Sequence, residues 1–260
     1  MPHLTICYLT CRPEPHFEWF ADSLGRETLG GMRLVVVDLH ADMPGRRADI
    51  AARAPKGLEL IHTTPKPNVW QGTHRLTSRD YFAAANARNT GLCLAPDGWI
   101  AYVDDLSVLM PGWLAAVREG MAEGRVTLGA YRKVNDITVR DGLLDSFTPS
   151  GNDPRSIAGW DSRYHMTTAD VSRAYDSWFF GCSSLVPVDV FLRVNGYEED
   201  CDGMCFEDII TGLYFAAAGV PLWYDKRMLI YEDDYKHFQA GGAPIRRNVV
   251  YPDGSEYPDA

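Results

Sequence analysis

Short apolar runs, each followed by a segment with helical spacing, constrain this chain more than any other feature. "HLTICYLTC" (3–11) is β-branched and apolar, and "HFEWFADSLGRET" (16–28) follows it with Phe17, Phe20 and Leu24 at helical intervals. "MRLVVVDLHAD" (32–42) and "LELIHTT" (58–64) repeat the strand pattern. After a Pro-rich, polar and basic loop at 65–80, the Ala-rich "DYFAAANARNTGLCLA" (80–95) reads as a helix and "WIAYVDD" (99–105) as a fourth strand. Apolar runs without alternation suit strands buried on both faces. Strands alternating with helices imply an α/β fold, a mixed and mostly parallel sheet flanked by helices in one domain.

The second half continues less regularly. "PGWLAAVREGMAEG" (111–124) reads as a helix with Pro at its start, and "RVTLGAYRKV" as a strand. Residues 135–177 are polar and read as an irregular, functional stretch carrying Arg140, Arg155, Trp160, Arg163, Tyr164, His165 and Arg173. "SWFFGCSSLVPVDVFLRVNGY" (177–197) brings a strand and a short helix, and "FEDIITGLYFAAAGV" (206–220) a longer helix. "PLWYDKRMLIYEDD" (221–234) reads as a strand pair, and 241–260 as a loosely held tail.

With 260 residues, 46% of them hydrophobic, the chain can bury a substantial core. Its net charge of -10 argues against a general nucleic-acid coat. The six cysteines lack zinc-ligand spacing, so buried free thiols in a reducing cytosol are the simplest reading. The N-terminus has no basic region and no long apolar stretch, and no segment approaches the ~20 apolar residues of a membrane span. A cytoplasmic protein without a transmembrane segment is expected.

Several acids stand where chemistry is plausible, each beside a plainer alternative. Asp38 ends a strand, where it can accept hydrogen bonds from a base or ribose, or cap a helix. Asp104 and Asp105 end another, as ligands for a divalent cation or as a turn. Glu207 and Asp208 open a helix, complementing its dipole or supplying a general base. Arg88 is either a surface cation or a partner for phosphate or a catalytic carboxylate. Trp178 offers a stacking face or packs in the core.

In order, "VVVDLHAD", "ANARNTGLCLAPDGWIAYVDD", "FFGCSSLVP" and "VNGYEEDCDGMCFEDIITGLYFAAAGV" resemble the family-two glycosyltransferases of the GT-A (Rossmann-like) fold. The match spans about residues 4 to 232, and implies one domain over 1–240. About 1–115 would be the nucleotide-sugar half and about 116–240 the acceptor and catalytic half. The implied activity is transfer of a sugar from a UDP- or GDP-sugar to an acceptor hydroxyl, with inversion. Asp208 would be the base, with Glu207 beside it. Asp38, Arg88, Asp104, Asp105 and Thr10 would bind the donor. Trp178, Gly181 and Trp160 would face the acceptor, which is a glycan, a small molecule or, less favoured, a nucleic acid. Mn²⁺ or Mg²⁺ would steady the departing nucleoside diphosphate.

One departure matters. Where the family's acid–x–acid motif has its second acid, this chain has Leu106, which cannot ligate a metal. Asp104 and Asp105 remain the metal candidates, completed by Glu232, Asp233 or, preferred, His237. Two further readings compete. A degenerate module would hold a sugar nucleotide or glycan without turnover. A sugar nucleotidyltransferase would need a Gly-rich basic loop after the first strand, where "TCRPEPHFEW" has no glycine.

Overall fold

All seven residues of β1 (Leu4–Thr10) are buried, as are all but one of β2 (Met32–Asp38). Such strands need cover on both faces, and they form the middle of the molecule. The computed structural model describes residues 3–71, 74, 83–149, 167–175, 178–202 and 206–234. Trp160, His237 and the tail at 241–260 lie outside them.

β1 pairs in parallel with β2 on one side and with β4 (Trp99–Asp104) on the other, and β2 pairs in parallel with β3 (Glu59–Thr63). The helices between them are α1 (Phe17–Gly25), α2 (Arg46–Arg53) and α3 (Ala84–Leu94). Strand order runs β3-β2-β1-β4, so the direction of travel reverses between β1 and β4. In open α/β sheets, ligands bind at such a reversal, beyond the carboxyl ends of the strands. Thr10, Asp38 and Asp104 are the last residues of β1, β2 and β4.

Beyond β4 the sheet becomes mixed. β5 (Ser107–Leu109), α4 (Trp113–Ala122), β6 (Val126–Arg140), β7 (Leu143–Pro149) and β8 (Val171–Arg173) follow in the chain. Then come β9 (Ser183–Pro187), α5 (Val188–Arg193), α6 (Glu207–Ala217) and β10 (Leu222–Asp233). The order continues β4-β9-β6-β10-β5, with β7 on β6 and β8 on β10. One apolar core runs along the sheet, from Leu4 and Val35 to Phe215 and Ile230. A smaller one joins Trp19, Val108, Val134, Ile137 and Tyr231.

Two expectations are corrected here. Residues 135–149 are not irregular: β6 and β7 form a hairpin through Asp141-Gly142, whose φ of 52° and 69° make a type I′ turn. The segment 221–234 is one strand, β10, whose register against β6 shifts between Asp225 and Ile230. That irregularity takes up polar residues that look like a break in the sequence. Cys201 closes a short 3₁₀ turn, Glu199–Cys201. The helix α2 and the strand β5 are additions, both too short to show a period of their own. Among the described residues no helix is long and apolar enough to cross a membrane.

Candidate active site

α3 organises the site. It packs against β1 and β2, and every residue from Ala85 to Leu92 is buried. Gly91 permits this approach, since a Cβ there would lie 2.2 Å from Cys7 Sγ. Because α3 enters from the carboxyl end of β3, its first turns lie where β1 and β4 end. From this rigid helix Arg88 reaches the strand-end acids, while Asn86 and Asn89 reach Tyr197 and Glu199.

Arg88 gathers the acids. Its Nη2 donates to both carboxylate oxygens of Asp104 at 3.1 Å, and its Nη1 donates to Glu207 Oε1 at 2.9 Å. Asp208 Oδ1 stands 3.6 Å from the same Nη1. The guanidinium lies over the ring of Tyr197, 5.2 Å from its centroid. Gly181 packs against the guanidinium, where a Cβ would fall 2.3 Å from Cζ. The Arg88 side chain is 5% exposed, while those of Asp104, Asp208 and Glu207 are 30%, 26% and 16% exposed. Burial alone would lower the arginine pKa, but the surrounding carboxylates raise it well above its ordinary value. Three carboxylates thus share one buried cation.

Asp105 points elsewhere. Thr10 Oγ1 donates to its Oδ2 at 2.6 Å, and Arg12 Nε lies 3.1 Å from the same oxygen. Burial pushes the Asp105 carboxyl up to about 6, against the pull of Arg12 and Thr10. Leu106, the residue after it, is fully buried with a left-handed φ of 57°. Its N–H donates to Pro15 O, and its carbonyl accepts from Asp233 N–H. Glu232 and Asp233 are buried at the end of β10, where Lys133 Nζ stands 3.6 Å from Glu232 Oε1.

Asp38 is completely buried. The backbone N–H of His40 donates to its Oδ1, and Arg46 Nε donates to its Oδ2 at 2.6 Å. His62 Nε2 is 3.1 Å from that second oxygen. Burial raises the Asp38 pKa, but His62, Arg46 and the His40 N–H outweigh it and hold the carboxyl below its ordinary value. In this structure Asp38 ties β2 to β3 and α2. Trp178 is half-buried, packed on the main core with its ring 4.8 Å from Tyr175.

The sequence reading missed a second polar network. Asn89 treats Tyr197 as a strand would: its Nδ2 donates to Tyr197 O and its Oδ1 accepts from Tyr197 N, both at 2.9 Å. Glu199 accepts from Lys66 Nζ at 2.7 Å, Asn89 Nδ2 at 2.7 Å and Asn86 Nδ2 at 3.0 Å. Asp202 accepts the backbone N–H groups of Ala85 and Asn86, at 2.7 and 2.9 Å, capping α3 from a distant turn. Burial still pushes Asp202 up to about 7. These contacts clamp "NGYEEDCD" onto α3 and so set where α6 begins. The clustered acids of "EEDCD" were the available signal.

The chain is similar to proteins of known activity in part of its sequence and in its fold. No family model matches the chain. Over 155 residues it is 31% identical to validoxylamine A glucosyltransferase of Streptomyces hygroscopicus subsp. jinggangensis, covering 54% of this chain and 37% of that protein. The enzyme of that name from subspecies limoneus matches over the same length, 34% of it. The chain thus spans little more than a third of these curated relatives. Among solved structures, S. aureus TarS 1–349 in complex with UDP-GlcNAc superposes with a TM-score of 0.63 at 12% identity, over 95% of this chain and 62% of that one. The Pyrobaculum calidifontis mannosyltransferase in complex with GDP-Man and Mn²⁺ gives 0.55 at 19% identity, over 89% and 56%. The fold is that of GT-A glycosyltransferases. Asp104 stands at the end of β4. Among the described residues, however, no three His, Cys, Asp or Glu side chains group to hold a metal ion. Asp104 is the most exposed of the three carboxylates around Arg88.

Proposed function

We propose that this chain is a glycosyltransferase that moves a sugar from a nucleoside-diphosphate sugar to an acceptor hydroxyl with inversion. The observation that carries it is Arg88, buried at the β1/β4 reversal, holding Asp104, Glu207 and Asp208 together. The relatives are named as a glucosyltransferase, and the structural neighbours hold GDP-Man and UDP-GlcNAc.

In this reading Asp208 takes the proton of the acceptor hydroxyl as that oxygen attacks the anomeric carbon. Glu207, fixed by its bond to Arg88, contacts acceptor or donor sugar. Arg88 spaces the two ends of the site, Asp104 on the donor side and the acidic pair on the acceptor side. Asp104 would hold Mn²⁺ or Mg²⁺ together with donor phosphate oxygens, and the cation's chemistry is to steady charge on the departing diphosphate. Asp38 and Asp105 shape the donor pocket from behind, through Arg46 and Arg12.

Titration calorimetry of UDP and GDP, each with Mn²⁺ and with a chelator, tests this. Metal-dependent binding of one nucleotide is expected. Failure of both to bind under either condition would reject the reading and favour a degenerate module.

A further inference from the structure

Asp38 and Arg46 form one unit behind the crevice. Asp38 is 0% exposed, and its carboxylate takes three donors: the His40 N–H on Oδ1, and Arg46 Nε and His62 Nε2 on Oδ2. A group that water cannot reach offers no contact to a nucleotide. What Asp38 does hold is Arg46, whose side chain is 10% exposed. The far end of that guanidinium donates to two successive carbonyls, from Nη2 to Arg12 O at 3.0 Å and from Nη1 to Pro13 O at 2.9 Å.

Arg12 and Pro13 lie in the turn that follows β1, where the sheet reverses toward β4. Such a turn walls the crevice in which open α/β sheets bind their ligands. Two further carbonyls of the turn are held. Cys11 O accepts from His40 Nε2 at 3.0 Å, and Pro15 O accepts from Tyr8 Oη at 3.0 Å and from the Leu106 N–H at 3.1 Å. Arg46 fastens the middle of the turn, and it comes from α2, in which Ile50 is the one buried residue. A helix that adds so little to the core thus delivers a cation to the turn. Arg47, the next residue, has a side chain 51% exposed and pairs with Asp42.

We propose that Arg46 is a positioning residue for the donor. It fixes the Arg12 and Pro13 carbonyls, and with them the wall of the crevice that the nucleotide meets. Asp38 acts on the donor only through Arg46 and touches neither base nor ribose. This rests on the reading of the site as a nucleotide-sugar centre.

The test is titration calorimetry with whichever of UDP and GDP binds, its base-methylated analogue (3-methyl-UDP or 1-methyl-GDP) and its 2′-deoxy analogue, each variant being kept well below its melting temperature. Arg46→Lys keeps a charge beside Asp38 but loses the planar fork that bridges two carbonyls, and should weaken the nucleotide about tenfold. Asp38→Asn should weaken it by a similar factor, because Arg46 loses its anchor. The double variant should lose little more than either single one, rather than the roughly hundredfold of two independent contacts. The factor by which each analogue binds more weakly than the parent nucleotide should be the same in wild type and in Asp38→Asn. Arg47→Lys should change nothing. Unchanged affinity in Arg46→Lys, losses that multiply in the double variant, or an analogue penalty that Asp38→Asn erases would each overturn the proposal. If Asp38→Asn does not fold, the affinity of Arg46→Lys decides. Failure of both nucleotides to bind the wild-type protein would instead remove the reading of the site beneath it.

Discussion

Asp104 and Asp105 are neighbours in the chain, and each faces an arginine, yet they occupy two different electrostatic settings. Asp105 is matched by Arg12, with side chains 10% and 7% exposed, in a closed contact that Thr10 completes. Asp104 shares Arg88 with Glu207 and Asp208 and is 30% exposed. A closed, buried contact holds structure. A carboxylate that shares its cation and reaches solvent can take a ligand or a proton. Residue type does not separate the two carboxylates; exposure and the sharing of a cation do.

Removing the arginines should break this contrast most sharply. Arg88→Ala leaves three crowded carboxylates without their cation and should cost about 3–5 kcal/mol of unfolding free energy. Arg12→Ala should cost less, because Asp105 retains Thr10 and its carboxyl, already raised to about 6, can protonate. Denaturant unfolding of both variants at pH 7 measures the difference, and equal losses would dissolve the distinction.

Next in size is chemistry. Asp208→Asn should lower transfer by about 10²–10⁴-fold, the range for a lost general base. Nucleotide affinity and melting temperature should be preserved, since Asp208 stands farther from Arg88 than Asp104 and Glu207 do. Steady-state kinetics beside calorimetry decides this, and retained turnover would remove Asp208 from the mechanism.

The smallest effect concerns pH. Burial raises Asp202 from 3.8 to about 7 in the folded chain, so the folded state binds its proton more tightly than the unfolded state does. Its contribution to stability is present below about pH 4 and is lost as pH rises through about 7. Thermal melts of wild type and Asp202→Asn at pH 5 and pH 8 should show a smaller pH dependence in the variant. An identical dependence would mean that the two α3 N–H groups hold the carboxylate ionised throughout.

Much of the fold was legible. Buried parallel strands cannot hide their composition, so β1, β2 and β4 stand out as unbroken apolar runs, and α3 and α6 stand out as helices. The β6–β7 hairpin was also written in the chain, as Asp141-Gly142 between alternating residues, but its polar, exposed strands masked it. The register shift in β10 had no local sign, because it answers to β6 rather than to its own residues. At the site, Asp104, Glu207, Asp208 and Arg88 were each visible as candidates. Asn89, Glu199 and Asp202 were not, since their work is to bind backbone and side chains far away in sequence.

By itself, then, the sequence determined the strands, the helices between them, and the acids at strand and helix ends, because burial and periodicity are local and additive along the chain. Only the tertiary structure decided which acids share a cation. Arg88 reaches Glu207 across 119 positions, and Gly181 is bare because a guanidinium lies against it. Asp105 turned away from the cluster because Arg12 and Thr10, more than 90 positions earlier, offered its charge a closer match. Electrostatic energy depends on distance in space and on exclusion of water, and neither exists until the chain has packed.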